Sequence, residues 1–242
     1  MLLVPAGVLA GITGSVAGLA SLVSYPALLA VGLPPVVANV SNTVALVFGS
    51  IGSVSASRVE LSGRARRLAP LAVATISGGT IGGLLLMLAP TASFAYIVPW
   101  LIAGASGSVL IPRRTSARNP HRGHWVLLYG GTTLIGVYGG YFGAAAGVLF
   151  LGLMLALTGD TLPQIGASRN LLLGLSNAVA AVVFIFYGTV NWFAALPLAL
   201  GFLIGGRLGP VITRKTPQRP LRFVIAIAGL GLALDLAWQA YR

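Results

Sequence analysis

The sequence holds three acidic residues in 242, two histidines and no cysteine. Without cysteine there is no disulfide, no thiolate metal site and no cysteine redox chemistry. The acids Glu60, Asp160 and Asp235 are scattered, and His121 and His124 share one loop. No His-Glu-x-x-His pattern arises, so metal-dependent hydrolysis is not expected. Gly104-Ala-Ser-Gly107 imitates an intramembrane serine-protease motif. A serine nucleophile needs a base beside it, and the only histidines lie in a loop, so we expect no enzyme. No nucleotide-binding loop occurs either, which argues against ATP drive and leaves no cofactor to expect. The amino terminus, MLLVPAGVLAGITG, lacks a basic n-region and is not read as a cleaved signal peptide.

What the chain does have is apolar length. Hydrophobic residues make up 57% and charged residues 7%, against about a quarter charged in soluble domains, and mean hydropathy is +0.94. A helical span needs about 20 apolar residues. Runs such as Leu68–Leu88 and Phe223–Trp238 do not alternate apolar with polar, as barrel strands would. The fold class expected is therefore an all-α polytopic membrane protein, with no segment long enough to fold as a soluble domain. The net charge of +12 sits in short loops between spans. That is the positive-inside pattern, so lipid rather than nucleic acid is the expected partner.

Eight apolar blocks are expected, at 1–31, 36–57, 68–89, 94–111, 125–158, 163–187, 192–213 and 221–241. Blocks 1–31 and 125–158 exceed one span. Glycines interrupt both: Gly11, Gly14 and Gly18, then Gly136, Gly139, Gly140, Gly143 and Gly147. Glycine weakens a helix interior by about 1 kcal/mol relative to alanine, so a broken helix or hairpin fits each block. The two are also equivalent. Shifts of 127 to 129 residues superpose Gly14 on Gly143, Gly18 on Gly147, Pro35 on Pro163, Asn42 on Asn170, Pro70 on Pro197, Gly79 on Gly206 and Gly82 on Gly209. This ordered set argues for an internal duplication. The first transmembrane repeat covers 1–112, a basic cytoplasmic linker 113–124, and the second repeat 125–242.

Equivalent loops differ in charge. The loop at 58–67 carries Arg58, Arg64, Arg66 and Arg67, while its counterpart at 188–191 is uncharged. The loop at 90–93 is uncharged, while its counterpart carries Arg214 and Lys215, with Arg219 and Arg222 beyond. Equivalent loops then lie on opposite sides of the membrane. This predicts two inverted repeats, each with three transmembrane helices and one hairpin or re-entrant segment. Both termini face out, and the loops near 58–67, 112–124 and 214–222 face the cytoplasm.

Inverted repeats with helices broken at matching positions are an architecture of secondary transporters. Non-helical backbone at membrane depth survives only inside protein or beside a polar cavity. A broken helix offers free amides and a positive dipole end to an anion. The candidate site residues are Gly14, Gly18, Gly143 and Gly147 at the breaks, with Asn42, Asn170 and Arg169. Tyr25, Tyr138 and Tyr141 flank the glycine clusters, where aromatic packing competes with hydroxyl donation to substrate. Gly14-x-x-x-Gly18, Gly143-x-x-x-Gly147 and Gly205-x-x-x-Gly209 are also small-residue packing motifs. Arg169 is either the counter-charge for an oxyanion or an interfacial side chain reaching headgroups. Arg207 and Asp235 are read as interfacial, with proton carriage the alternative for Asp235 in the last block.

Gly11–Pro26 (GITGSVAGLASLVSYP), Gly32-Leu-Pro-Pro35 and Ala38-Asn-Val-Ser-Asn42 resemble the first half of the TauE/SafE sulfite-exporter family. Gly139-Gly-Tyr-Phe-Gly-Ala-Ala-Ala-Gly147, Ala167-Ser-Arg-Asn170, Gly188-Thr-Val-Asn-Trp192 and Gly205-Gly-Arg-Leu-Gly-Pro210 resemble its second half. The first cluster, Gly14-Ser-Val-Ala-Gly18, is less glycine-dense than that pattern. The resemblance implies movement of sulfite or an organosulfonate-like anion across a bacterial cytoplasmic membrane by a multi-pass protein. The expectation is a secondary transporter exporting sulfite by alternating access. A passive anion channel and a transporter of another organosulfonate or oxyanion are the alternatives. Exact substrate, direction, coupling ion and assembly into a homo-oligomer stay open at this level.

Overall fold

The computed structural model describes residues 2–110, 123–213, 227, 230–231 and 233–238. The basic linker up to Arg122, the cluster from Arg214 to Arg222 and most of the last block lie outside the described residues.

Every described element is a helix. They are α1 (Leu3–Ala17), α2 (Ala20–Ala30), α3 (Pro35–Ala56), α4 (Arg58–Leu61), α5 (Ala65–Leu88), α6 (Thr91–Leu110), α7 (Gly123–Tyr141), α8 (Ala146–Leu157), α9 (Leu162–Tyr187) and α10 (Trp192–Thr213). The separators read from sequence fall between them. Pro35 opens α3 and Pro163 is the second residue of α9, where a missing amide hydrogen costs nothing. The amide of Thr161 donates to the Gln164 side chain at 3.1 Å and closes the start of α9. Four of the helices, at Pro35–Ala56, Ala65–Leu88, Leu162–Tyr187 and Trp192–Ile212, are long and apolar enough to cross a membrane. Val73, Leu134, Phe186 and Phe193 lie on the outside of the bundle, more than two-thirds exposed. An apolar exterior of that kind suits lipid rather than water.

Both long blocks are broken. With a rise of about 1.5 Å per residue, α2 and α8 reach only about 17 and 18 Å, short of a hydrocarbon core of about 30 Å. Each folds back on its predecessor. A Cβ on Gly131 of α7 would meet Leu153 of α8 at 2.8 Å, and one on Gly14 of α1 would meet the Ala20 side chain at 2.7 Å.

Neighbouring helices reveal where each hairpin enters. α7 runs in the same sense as α5: Gly78 lies against Thr133 and Gly136, and Gly82 against Val137 and Tyr141. Asp160, just past α8, pairs with Arg64 and Arg67 at the start of α5. The α7–α8 hairpin therefore starts and ends at the Arg64 end of the bundle. α1 runs in the same sense as α10, with Gly201 against Val4 and Gly7 and Gly205 against Val8. The Asn191 amide, just before α10, donates to Ser41 near the start of α3 at 2.9 Å. The α1–α2 hairpin starts and ends at that other end.

The helix pairs exchange partners between halves: α1 packs on α10 as α7 packs on α5, α3 on α10 as α9 on α5, and α3 crosses α9. Lipid offers no hydrophobic drive for such pairing, so close backbone approach through small residues holds it. A Cβ on Gly11 would come within 2.6 Å of the Gly206 nitrogen, and one on Gly79 within 2.6 Å of the Ser176 carbonyl oxygen. Most glycines in the long blocks thus stay helical and serve packing.

Candidate functional site

The two helix breaks meet. α1 stops at Ala17, Gly18 takes φ +76°, and α2 starts at Ala20. α7 stops at Tyr141, with Gly143 at φ +72° and Ala145 at φ +53° before α8. Ala145 is the one described non-glycine residue with positive φ, a conformation that costs roughly 1–2 kcal/mol and that tends to mark functional segments. The Tyr138 hydroxyl holds this break by donating to the Ala144 carbonyl at 2.6 Å. A Cβ on Gly18 would lie 2.6 Å from the Gly147 carbonyl carbon, so the breaks touch backbone to backbone.

Breaking a helix strands carbonyls on one side of the gap and amides on the other. Here the Ser15 and Tyr141 carbonyls find side chains from the opposite half, and the Gly14 carbonyl adds one to the Gly18 amide it already accepts at 2.8 Å. Arg169 of α9 donates to the Gly14 carbonyl at 3.1 Å and to that of Ser15 at the end of α1. Asn39 of α3 donates to the Tyr141 carbonyl at the end of α7 at 2.9 Å. The amide ends differ. The first residues of α2 (Ala20, Ser21) and of α8 (Ala146, Gly147) line a cavity of about 70 Å³. Two positive dipole ends, one from each half, therefore border the same space, an arrangement that favours an anion.

Arg169 sits at the mouth of this cavity. It is 2% exposed, so it lies within the protein and not at an interface. Its guanidinium also donates to the Asn170 carboxamide oxygen at 3.0 and 3.2 Å. Ser15, Arg169 and Asn170 border both the inner cavity and a second space of about 430 Å³. That vestibule reaches Glu60, Pro163 and Pro210, residues at the Arg64 end. The hydroxyls of Ser15 and Ser53 lie 2.7 Å apart, each 3.1 Å from the Gly206 carbonyl. The result is a wide antechamber of mixed lining, a constriction carrying a fixed cation, and a small inner chamber.

Of the residues singled out from sequence, Gly14, Gly18, Gly143, Gly147, Arg169 and Asn170 line the inner cavity. Asn42, Tyr25 and Tyr141 stand outside it. Asn42 is buried behind the wall: its carboxamide accepts from Ser24 at 2.6 Å and donates at 3.3 Å to Ser21, itself a lining residue. Tyr25 packs edge-on against Phe142, ring centroids 5.3 Å apart, and Tyr141 packs on Phe94 at 5.9 Å. Asp160, the acid nearest Arg169 in sequence, instead bonds Arg64 and Arg67 across the two halves. Arg207 and Asp235 are exposed.

The sequence reading missed Asn39, Ser50, Ser53 and Asn177. A signal existed for two of them. Asn39 and Asn42 are three apart and Asn170 and Asn177 seven apart, so each pair shares a helix face in an otherwise apolar span.

Comparison with known proteins finds membrane transporters. A probable membrane transporter protein, ORF9, from Sinorhizobium sp is 29% identical over 96% of this chain and 89% of its own length. The probable membrane transporter YfcA of Escherichia coli K12 is 27% identical over 96% of this chain and 87% of its own. A probable membrane transporter of Haemophilus influenzae is 27% identical over 91% and 88%. No solved structure gives a significant match. The sequence profile described as sulfite exporter TauE/SafE matches residues 3–236. With that match running through both broken helices and their crossing partners, the chain belongs to the TauE/SafE sulfite exporter family.

Proposed function

We propose that this protein is a multi-pass secondary transporter of a bacterial cytoplasmic membrane that exports a small sulfur-containing anion, sulfite, by alternating access. The observation that carries the reading is Arg169, buried at the constriction between the two cavities. A buried guanidinium at membrane depth is costly, and such residues mark ion and substrate pathways. Its planar donors suit an oxyanion, and the amide ends of α2 and α8 add partial positive charge beyond it. An inner space of about 70 Å³ holds a few waters or one small oxyanion, far below the 300 Å³ or more of a typical metabolite pocket.

The two hairpins, entering from opposite ends of the bundle, support inverted halves. The arginines around 58–67 assign the Arg64 end to the cytoplasm. The vestibule then opens inward, and rocking one half against the other would expose the inner chamber to the far side.

The test is flux into liposomes containing the purified protein, with sulfite, sulfate, thiosulfate, sulfonates and phosphate as the panel. Sulfite should show saturable flux and counterflow, and Arg169→Ala should reduce its rate at least about tenfold, as loss of a charged hydrogen-bond donor implies. A panel with no transported sulfur anion refutes the proposal. Unitary conductance steps in planar bilayers would replace the carrier with a passive anion channel.

A further inference from the structure

We infer that the inner chamber selects the singly charged, protonated form of its oxyanion, bisulfite over the sulfite dianion, and that Ser50 and Asn177 are the selecting residues. The inference rests on the transport reading above and adds the charge state of the cargo.

Ser50 of α3 and Asn177 of α9 both line the inner cavity. Their polar neighbours are engaged: Ser53 on Gly206, Asn170 on Arg169. Ser50 and Asn177 make no hydrogen bond among the described residues, and both are partly exposed to the chamber. Their hydroxyl and carboxamide thus face the chamber with donors and acceptors open to whatever enters it. They are placed to serve a ligand.

Their position along the path matters. Asn177 lies eight residues beyond Arg169 on α9, about 12 Å further in. Ser50 packs against Gly174 between them, where an added Cβ would meet the Ser50 Cβ at 2.6 Å. Arg169 is the one charged residue among those lining the inner cavity. An anion that moves past the guanidinium therefore meets only neutral groups and two helix amide ends.

Neutral groups discriminate by charge. The cost of removing an ion from water rises with the square of its charge, so a dianion pays about fourfold more than a monoanion of equal size. Hydrogen-bond chemistry acts in the same direction. A serine hydroxyl and an asparagine carboxamide each accept as well as donate. They can receive the proton of an S–O–H group while donating to the remaining oxygens. A fully deprotonated anion can take only their donors and leaves the Asn177 carbonyl oxygen without a partner.

The experiment measures initial flux of sulfite and of sulfate into proteoliposomes over a range of symmetric pH, with protein-free vesicles subtracted. Sulfite takes up a proton near neutral pH, whereas sulfate stays doubly charged. At fixed total sulfite, the rate is expected to rise as pH falls, in proportion to bisulfite, with no sulfate flux. Asn177→Leu and Ser50→Ala are expected to raise the half-saturating bisulfite concentration about 10- to 100-fold, at unchanged thermal stability. Asn177→Gln and Ser50→Thr should recover most of it. A rate that follows the dianion fraction, or ready flux of sulfate, overturns the inference, and so does wild-type saturation in both Asn177→Leu and Ser50→Ala. The wild-type pH profile stands even where a variant fails to fold. Absence of any sulfur-anion flux at every pH overturns the transport reading itself.

Discussion

Alanine at Gly18 probes the contact between the two breaks, and alanine at Gly32 separates its two costs. Gly18 and Gly32 both have positive φ, +76° and +86°. A side chain in that region costs roughly 1–2 kcal/mol. At Gly32 nothing lies within 4 Å of the added Cβ, so this is the whole penalty. At Gly18 the Cβ would meet the Gly147 carbonyl carbon at 2.6 Å, the Gly147 Cα at 2.7 Å and the Val148 nitrogen at 2.9 Å. All three are backbone atoms, so no rotamer change relieves them, and overpacking adds about 1–3 kcal/mol. Gly18→Ala should thus cost about 2–5 kcal/mol. For a chain of this size each kcal/mol lowers the melting temperature by about 2–4 °C. Thermal unfolding in one detergent, at one protein concentration, should therefore place Gly18→Ala at least a few degrees below Gly32→Ala. Gly147→Ala would press the same contact, a Cβ meeting the Gly18 Cα at 2.6 Å, so the double variant should cost less than the two singles added. Equal melting temperatures for Gly18→Ala and Gly32→Ala would refute backbone contact between the breaks.

Asp160→Asn should weaken the tie between halves at Arg64 and Arg67 by about 1 kcal/mol. The loss in melting temperature should shrink at high salt, where the wild-type pair is itself screened. Tyr138→Phe should cost about 1 kcal/mol, the worth of the hydrogen bond to the Ala144 carbonyl. Its effect should appear as faster hydrogen exchange confined to 142–147 as well as a lower melting temperature.

Helix positions were largely legible because hydropathy and charge mark them directly. α3, α9 and α10 fall within a residue of the blocks expected at 36–57, 163–187 and 192–213. Which glycine breaks a helix was not legible. Gly11, Gly14, Gly136, Gly139 and Gly140 stay helical, while Gly18 and Gly143 turn the chain. Both uses require only that a Cβ be missing, so composition looks the same for each. The glycines that turn are set apart by positive φ, and contact does not separate them: Gly143 lies against Gly139 of its own half, while the helical Gly11 lies against Gly206 of the other. The cavity wall was legible at Arg169, a charge at membrane depth, and at Asn170 through its repeat-equivalent position. It was hidden where the group is neutral and small. Asn177 and Ser50 become visible only once the cavity wall is known. Asn42 was read as a ligand by symmetry with Asn170, yet the two differ in surroundings: Asn170 faces the constriction and Asn42 supports Ser21 from behind.

The exchange of side chains across the breaks has a bearing on biosynthesis. The carbonyls of Gly14 and Ser15 are met by a residue made about 155 positions later. At ribosomal speeds of about 5–20 residues per second, the first hairpin waits about 8–30 seconds for Arg169 to arrive. Gly14 keeps the Gly18 amide, but during that interval the Ser15 carbonyl must face water or the membrane interface rather than hydrocarbon. A half-length chain lacks Arg169 and would keep the Ser15 carbonyl in that position. It would need a second copy inserted the opposite way round, each supplying to the other what α3 and α9 now supply within one chain.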